Sequence, residues 1–177
     1  MGAIYVCSLD KLGETAQRSG ASHIATLINA DTPVPRPETV EEKNHLFLGF
    51  NDIVTPTNGM TPPAAEHVER FLEFVRSWDQ VNPMIVHCWA GVSRSTAGAM
   101  IATCALRPEL DEALIANTIR ARSKEATPNI RLIGFADDLL NRQGRMVDAV
   151  EKIGRGESCF EGSIFNLGIT GQDNDTL

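Results

Sequence analysis

Cysteine is scarce in this chain: four residues in 177, Cys7, Cys88, Cys104 and Cys159, with no CxxC pair among them. That scatter excludes the disulfide framework that staples small secreted domains. Neither these cysteines nor the four histidines fall at metal-ligand spacing, so no metal is expected, and no other cofactor is implied. Positive charge is also short. Sixteen Lys and Arg stand against 23 Asp and Glu, a net charge of −7, which argues against nucleic acid or an anionic membrane as partner. No apolar run approaches the ~20 residues that a membrane-spanning helix needs. The N-terminus shows no basic stretch followed by a long apolar one, so no secretory leader is expected. Met1-Gly2 invites N-myristoylation, but Val6 stands where that pattern needs Ser or Thr. A reducing cytoplasm is the expected setting.

Length and composition (42% hydrophobic, 22% charged) suit one globular domain with a substantial core. Apolar runs at Ala3 to Cys7, His23 to Asn29, His45 to Phe50 and Met84 to Val86 read as strands. Between them, Asp10 to Ser19 has helical character. Thr61-Pro62-Pro63 opens an amphipathic helix that gathers Val68, Phe71, Leu72, Val75 and Trp78 on one face. Thr96 to Leu106, Pro108 to Ala121, Ile130 to Leu140 and Arg142 to Ile153 read as further helices. This alternation predicts an α/β fold, a single domain with a central, mostly parallel sheet flanked by helices. The loop Asp31 to Asn44, with Pro33, Pro35 and Pro37, is long enough to border a site. After residue 153 periodicity is lost and glycine is frequent, so residues 1–153 read as the domain and 154–177 as a mobile tail.

The stretch His87-Cys88-Trp89-Ala90-Gly91-Val92-Ser93-Arg94-Ser95 carries the chemistry. It joins a buried strand to an apolar helix, so its backbone amides and the positive end of the helix converge on one small cup suited to a tetrahedral oxyanion. A helix N-terminus and a nearby guanidinium favour a thiolate over a thiol, which suits Cys88 to act as nucleophile. Arg94 offers a planar fork of donors to two phosphate oxygens, a geometry lysine cannot reproduce. Gly91 fits a point where the backbone must turn close to the anion. Trp89 reads equally as a substrate wall or as a partly buried aromatic, and Ser93 as a brace of the turn.

His87 to Ser95 resembles the HC-x5-R-[ST] loop of the cysteine-dependent protein tyrosine phosphatases, and Gly91 to Ser95 matches the G-x-S-R-S ending of their small dual-specificity branch. The resemblance implies a dual-specificity phosphatase-like fold and a cysteinyl-phosphate intermediate on Cys88. Arg94, with the loop residues Trp89, Ala90, Gly91, Val92 and Ser93, would hold the phosphate. Ser95 would correspond to the hydroxyl that assists departure of the thiolate. His87 would order the loop from behind. The Ala-rich helix after the loop and the Thr127-Pro128-Asn129 step also resemble bacterial members of the group.

Ester cleavage needs a proton donor for the leaving oxygen, then a base for water. Asp10, Asp31, Asp52 and Asp79 lie upstream of Cys88. Asn51-Asp52-Ile53 follows the strand His45 to Phe50 directly, so Asp52 sits on a loop at a strand end, where Cys88 also stands, with room for one crossover helix between them. In the family an Asp in this setting, often within an Asn-Asp pair, is the general acid/base. Asp52 is the assignment and Asp31 the reserve. Asn129 reads either as part of a helix start behind a cap-like Thr127 or, by resemblance, as a support of the signature loop.

The resemblance thus predicts a phosphoric monoester hydrolase acting on phosphotyrosine, and on phosphoserine or phosphothreonine in protein. The alternative is a catalytically weak phosphoprotein-binding module of the same fold. The uncharged residues between Cys88 and Arg94 argue against a phosphoinositide substrate. Rhodanese-like domains lack the G-x-S-R-S ending, and low-molecular-weight phosphatases place the loop near the N-terminus with the acid downstream. Cys7 and Cys104 are the expected disulfide partners of Cys88 under oxidation, if it has any.

Overall fold

The computed structural model describes residues 2–169. Four strands run parallel: β1 (Ala3–Ser8), β2 (His23–Ile28), β3 (His45–Gly49) and β4 (Met84–Cys88). A fifth, β5 (Phe165–Gly168), pairs antiparallel with β1, giving the order β3-β2-β4-β1-β5. The α/β architecture with a mostly parallel sheet is therefore as the sequence predicts. Helices α1 (Leu12–Ser19), α2 (Ala65–Ser77), α3 (Arg94–Leu106), α4 (Glu112–Arg122), α5 (Ile130–Leu139) and α6 (Arg145–Ile153) complete the fold.

Alternation along the strands decides which residues meet which layer. Ile4, Val6, Ala25, Leu27, Met84 and Val86 point to the core beneath α2 and α3, while Cys7, Ile24 and Ile85 point to a smaller core beneath α1. Helix α3 is buried on nearly every side, which explains its lack of an amphipathic stripe. It lies close to the sheet at Gly98, where a β-carbon would come within 2.8 Å of Val86 and 2.9 Å of Leu27. The proline-bearing loop 31–44 packs toward α1, with Val40 fully buried and its carbonyl bonded by Arg36.

Residues 154–169 differ from the tail expected there. Phe165, Leu167 and Ile169 are buried, and β5 extends the sheet beside β1. The run is glycine-rich and too short for periodicity to reveal, yet its alternation of Phe165 and Leu167 with polar Asn166 is that of a half-buried strand. Residues 170–177 of the expected tail lie outside the described residues. Helix α5 begins two residues later than a Thr127 cap would give. Asn129 is the cap, accepting from the amides of Arg131 and Leu132, and Thr127 instead accepts from the amide of Gly156.

Leu167→Ala is expected to cost about 2–5 kcal/mol in urea unfolding, as for a buried leucine. A change below about 0.5 kcal/mol, the usual surface value, would show that β5 does not belong to the cooperative unit.

Candidate active site

All four parallel strands deliver residues to one edge of the sheet, beyond their carboxyl ends, the place where open α/β sheets build sites. β4 ends on Cys88, β2 leads into Asn29, β3 into Phe50, Asn51 and Asp52, and β1 into Leu9 and Asp10. Cys88, Trp89, Ala90, Val92, Ser93 and Arg94 line a cleft of about 420 Å³ together with Asn29, Asn51, Asp52, Ile53, Met60 and Cys159.

The loop between β4 and α3 is held from outside through its carbonyl oxygens. That of Trp89 accepts from the amide of Leu9 (3.1 Å), and that of Ala90 from the amide of Gly162 (2.9 Å). Val92 O accepts from the amide of Thr127 (3.0 Å) and Ser93 O from the amide of Asn129 (3.2 Å), and the hydroxyl of Thr96 donates to both. In a trans peptide the C=O and the following N–H point in opposite directions. With these carbonyls turned outward, the N–H groups of Ala90, Gly91, Ser93 and Arg94 face the inside of the turn. Among the described residues none of the amides from Trp89 to Ser95 has a protein acceptor. Gly91 sits at φ +74°, and a β-carbon there would come within 2.8 Å of the Cys7 backbone, so the turn requires glycine.

Cys88 is 2% exposed at the floor of this turn, with its Sγ 3.2 Å from the buried hydroxyl of Ser95. Arg94 is also buried. Its Nη1 donates to Asn29 Oδ1 (2.8 Å) and to the Phe50 carbonyl (2.7 Å), while its buried Nε–H has no protein acceptor. Those two bonds fix the guanidinium plane and leave its Nε edge for an anion.

Asp52 joins the group. Its Oδ1 accepts from Ser93 Oγ (2.7 Å) and Asn129 Nδ2 (2.8 Å), and among the described residues Oδ2 has no donor. Asn129 therefore serves both readings: its oxygen caps α5 and its nitrogen aims Asp52. Asn51 closes the base of the Asp52 loop, donating its amide to Thr61 O (2.7 Å) and accepting from the Thr61 amide (2.9 Å). Ser93 is more than a brace, since its hydroxyl ties the signature loop to Asp52.

Behind the loop, His87 is fully buried. Its Nδ1 lies 3.3 Å from the Cys88 carbonyl and its Nε2 2.6 Å from the Thr26 hydroxyl, which also lies 2.8 Å from His45 Nε2. A carbonyl can only accept, so His87 donates from Nδ1, Thr26 donates to His87 Nε2, and His45 donates to Thr26. Burial pushes His87 down to about 4, with Arg94 and His45 adding to the effect against the Cys88 carbonyl bond.

The other acids stand elsewhere. Asp31 lies in an exposed turn and Asp79 beyond α2, where it accepts from the Val81 amide; neither lines the cleft. Loop 31–44, expected near the site, contributes no lining residue because it packs toward α1. Asn29, Met60 and the segment 159–162 were not legible as site residues. A polar residue closing a buried strand was the available signal for Asn29, much as the Asn51-Asp52 pair after a strand was for Asp52. Cys7 and Cys104 are buried and pushed up to about 12 by burial, and the cysteine that shares the cleft with Cys88 is Cys159.

Residues 37–129 match a family model described as DSP-PTPase phosphatase fused to NAD+ kinase. The match spans just over half of the chain and includes Asp52, the Cys88 loop and Asn129. The chain belongs to this phosphatase family. None of the curated proteins matches the chain. Among solved structures, human DUSP28 is 16% identical over 79% of this chain and 92% of its own, with a TM-score of 0.61. A mouse putative dual specificity phosphatase complexed with zinc tungstate is 15% identical over 85% of this chain and 86% of its own, with a TM-score of 0.61. The PTP-2 phosphatase of Cydia pomonella is 16% identical over 76% of this chain and 84% of its own, with a TM-score of 0.59. At these identities the likeness is one of fold, and that fold is the one the sequence predicts for this DSP-PTPase family member. Among the described residues no helix is long and apolar enough to cross a membrane.

The buried His87 gives the phosphatase domain a pH dependence of known sign. Folding holds the ring neutral at about 4, below the ordinary 6.5 of an unfolded histidine. The resulting stability is complete above about 6.5 and is lost as pH falls from there toward about 4, in total roughly 3 kcal/mol. Urea unfolding at pH 7.0 and 4.5 should show this loss, and His87→Gln should reduce it. A His87 ring that titrates near 6.5 by NMR would contradict the assignment.

Proposed function

We propose that this chain is a protein phosphatase that hydrolyses phosphotyrosine, and also phosphoserine and phosphothreonine, through a cysteinyl-phosphate intermediate on Cys88. The observation that carries the reading is the outward anchoring of the signature-loop carbonyls. It leaves a ring of unpaired N–H groups, with the free Nε edge of Arg94, around a cysteine sulfur. Such a site complements a tetrahedral dianion, and more strongly the charge of its transition state.

In the proposed reaction the phosphoryl oxygens bind the loop amides and Arg94, and the Cys88 thiolate attacks phosphorus. The bond to the leaving oxygen breaks as Asp52 gives that oxygen a proton from Oδ2, the oxygen that Ser93 and Asn129 leave free. Asp52, now a carboxylate, takes a proton from water as the water oxygen attacks the phosphocysteine. The S–P bond breaks, and the hydroxyl of Ser95 donates to the departing sulfur. His87 holds the Cys88 carbonyl from behind and keeps the loop in register. Every group assigned to these steps, backbone amide or side chain, belongs to the chain itself, and none of the steps calls for a metal. The absence of loop cations other than Arg94 supports protein phosphomonoesters over polyphosphorylated head groups.

With a phosphotyrosine peptide, Cys88→Ser should abolish turnover. Asp52→Asn should lower kcat by about 10²–10⁴-fold, the usual worth of a general acid. Retained turnover in Cys88→Ser would refute the mechanism. Phosphopeptide binding by the wild type without any turnover would favour the binding-module reading instead.

A further inference from the structure

A second hollow of about 330 Å³ lies beside the cleft and shares Trp89 and Ala90 with it. Its remaining lining is Leu9, Asp10, Phe160 and Glu161. Two large aromatic side chains stand here in the open: Phe160 is 97% exposed and Trp89 60%. Scattered apolar residues on a surface need no explanation, but two aromatics lining one hollow at the mouth of a catalytic cleft do. The hollow is also built rather than incidental. Leu9 is bonded through its amide to Trp89 O, and Gly162 through its amide to Ala90 O. The Glu161 carboxylate accepts from the Ser8 hydroxyl, which ties the segment bearing Phe160 to the end of β1. The backbone positions of both aromatics are therefore tied to the loop that holds the phosphate.

Resting on the phosphatase reading above, we infer that this hollow receives an apolar side chain of a phosphopeptide substrate, from a residue flanking the phosphorylated one. Trp89 directly follows Cys88 in the chain, and one residue of extended peptide spans about 3.3–3.6 Å, so a flanking residue reaches the hollow while the phosphate occupies the cup. Continuity with the cleft argues for a segment of the substrate itself over a separate ligand. Charge points the same way. The ionisable groups lining the hollow are the carboxylates of Asp10 and Glu161, with Lys11 3.9 Å from Asp10, so an acidic flank is disfavoured and a neutral or basic one accepted.

The test uses three phosphotyrosine peptides that differ only in the residues beside phosphotyrosine, Leu, Ala or Asp, with p-nitrophenyl phosphate as a substrate that lacks any flank. The wild type should prefer the Leu peptide to the Ala peptide by roughly 3- to 10-fold in kcat/KM, the scale of one aromatic contact, and should disfavour the Asp peptide. Phe160→Ala should erase the preference for Leu and leave kcat/KM for p-nitrophenyl phosphate unchanged. An equal rate for Leu and Ala peptides, or a preference that survives Phe160→Ala, overturns the inference. If p-nitrophenyl phosphate is not hydrolysed at all, the phosphatase reading fails by itself, and the Kd values of the same peptides decide the hollow: a Phe160-dependent preference for Leu upholds it and equal values overturn it. Phe160-dependent binding to phosphatidylcholine vesicles with no peptide preference would also overturn it, assigning the aromatic pair to a lipid surface.

Discussion

The organisation of this site depends on the direction in which one short loop turns its peptide groups. Between β4 and α3 the carbonyls of Trp89, Ala90, Val92 and Ser93 are taken by donors from three separate parts of the chain: Leu9, Gly162, and the pair Thr127 and Asn129. Left alone, such a loop would present carbonyl oxygens as readily as amides, and a ring of oxygens would repel phosphate. Outward bonding removes that alternative. The cost of holding inward N–H groups without protein partners is spread over the scaffold, and in the proposed function the bound phosphate offsets it. Gly91 completes the turn because its positive φ and its closeness to the Cys7 backbone leave no room for a side chain.

The same bonds join the parts of the chemistry to one another. Asn129 holds Ser93 through its backbone, Asp52 through its side-chain nitrogen and the start of α5 through its side-chain oxygen. Arg94 is fixed by Asn29 and by the carbonyl of Phe50, two residues before Asp52. In the proposed mechanism the nucleophile, the anion clamp and the acid are therefore positioned by a single connected network. A displacement at Asn129 would reach both the loop and the acid, although 77 residues separate Asn129 from Asp52 in sequence.

Much of this was legible in the sequence because the decisive residues are contiguous. His87 to Ser95 declares a strand, a loop and a helix start in nine positions, and the Asn51-Asp52 pair directly follows an apolar run, so both could be placed at strand ends. What was not legible is long-range. Asn29 looks like any polar residue closing a strand, and nothing local marks it as the partner of Arg94. Loop 31–44 was expected near the site on length alone, whereas Val40 draws it into the core beneath α1. Residues 154–169 have the composition of a tail, yet they supply β5, the donor to Ala90 and, in Cys159, one lining residue of the cleft. The apolar positions Phe165, Leu167 and Ile169 carry that segment into the core, and three alternating residues are too few to stand out from a glycine-rich run.

The account stands on one covalent event at Cys88, and trapping it is the most direct measurement. The chain with Asp52 replaced by Asn, mixed with p-nitrophenyl phosphate and quenched in acid within its first turnover, should yield a Cys88 peptide heavier by one phosphoryl group. The adduct should be absent when Cys88 is replaced by Ser. Steady release of phosphate with Cys88 unmodified at every quench time would contradict the account.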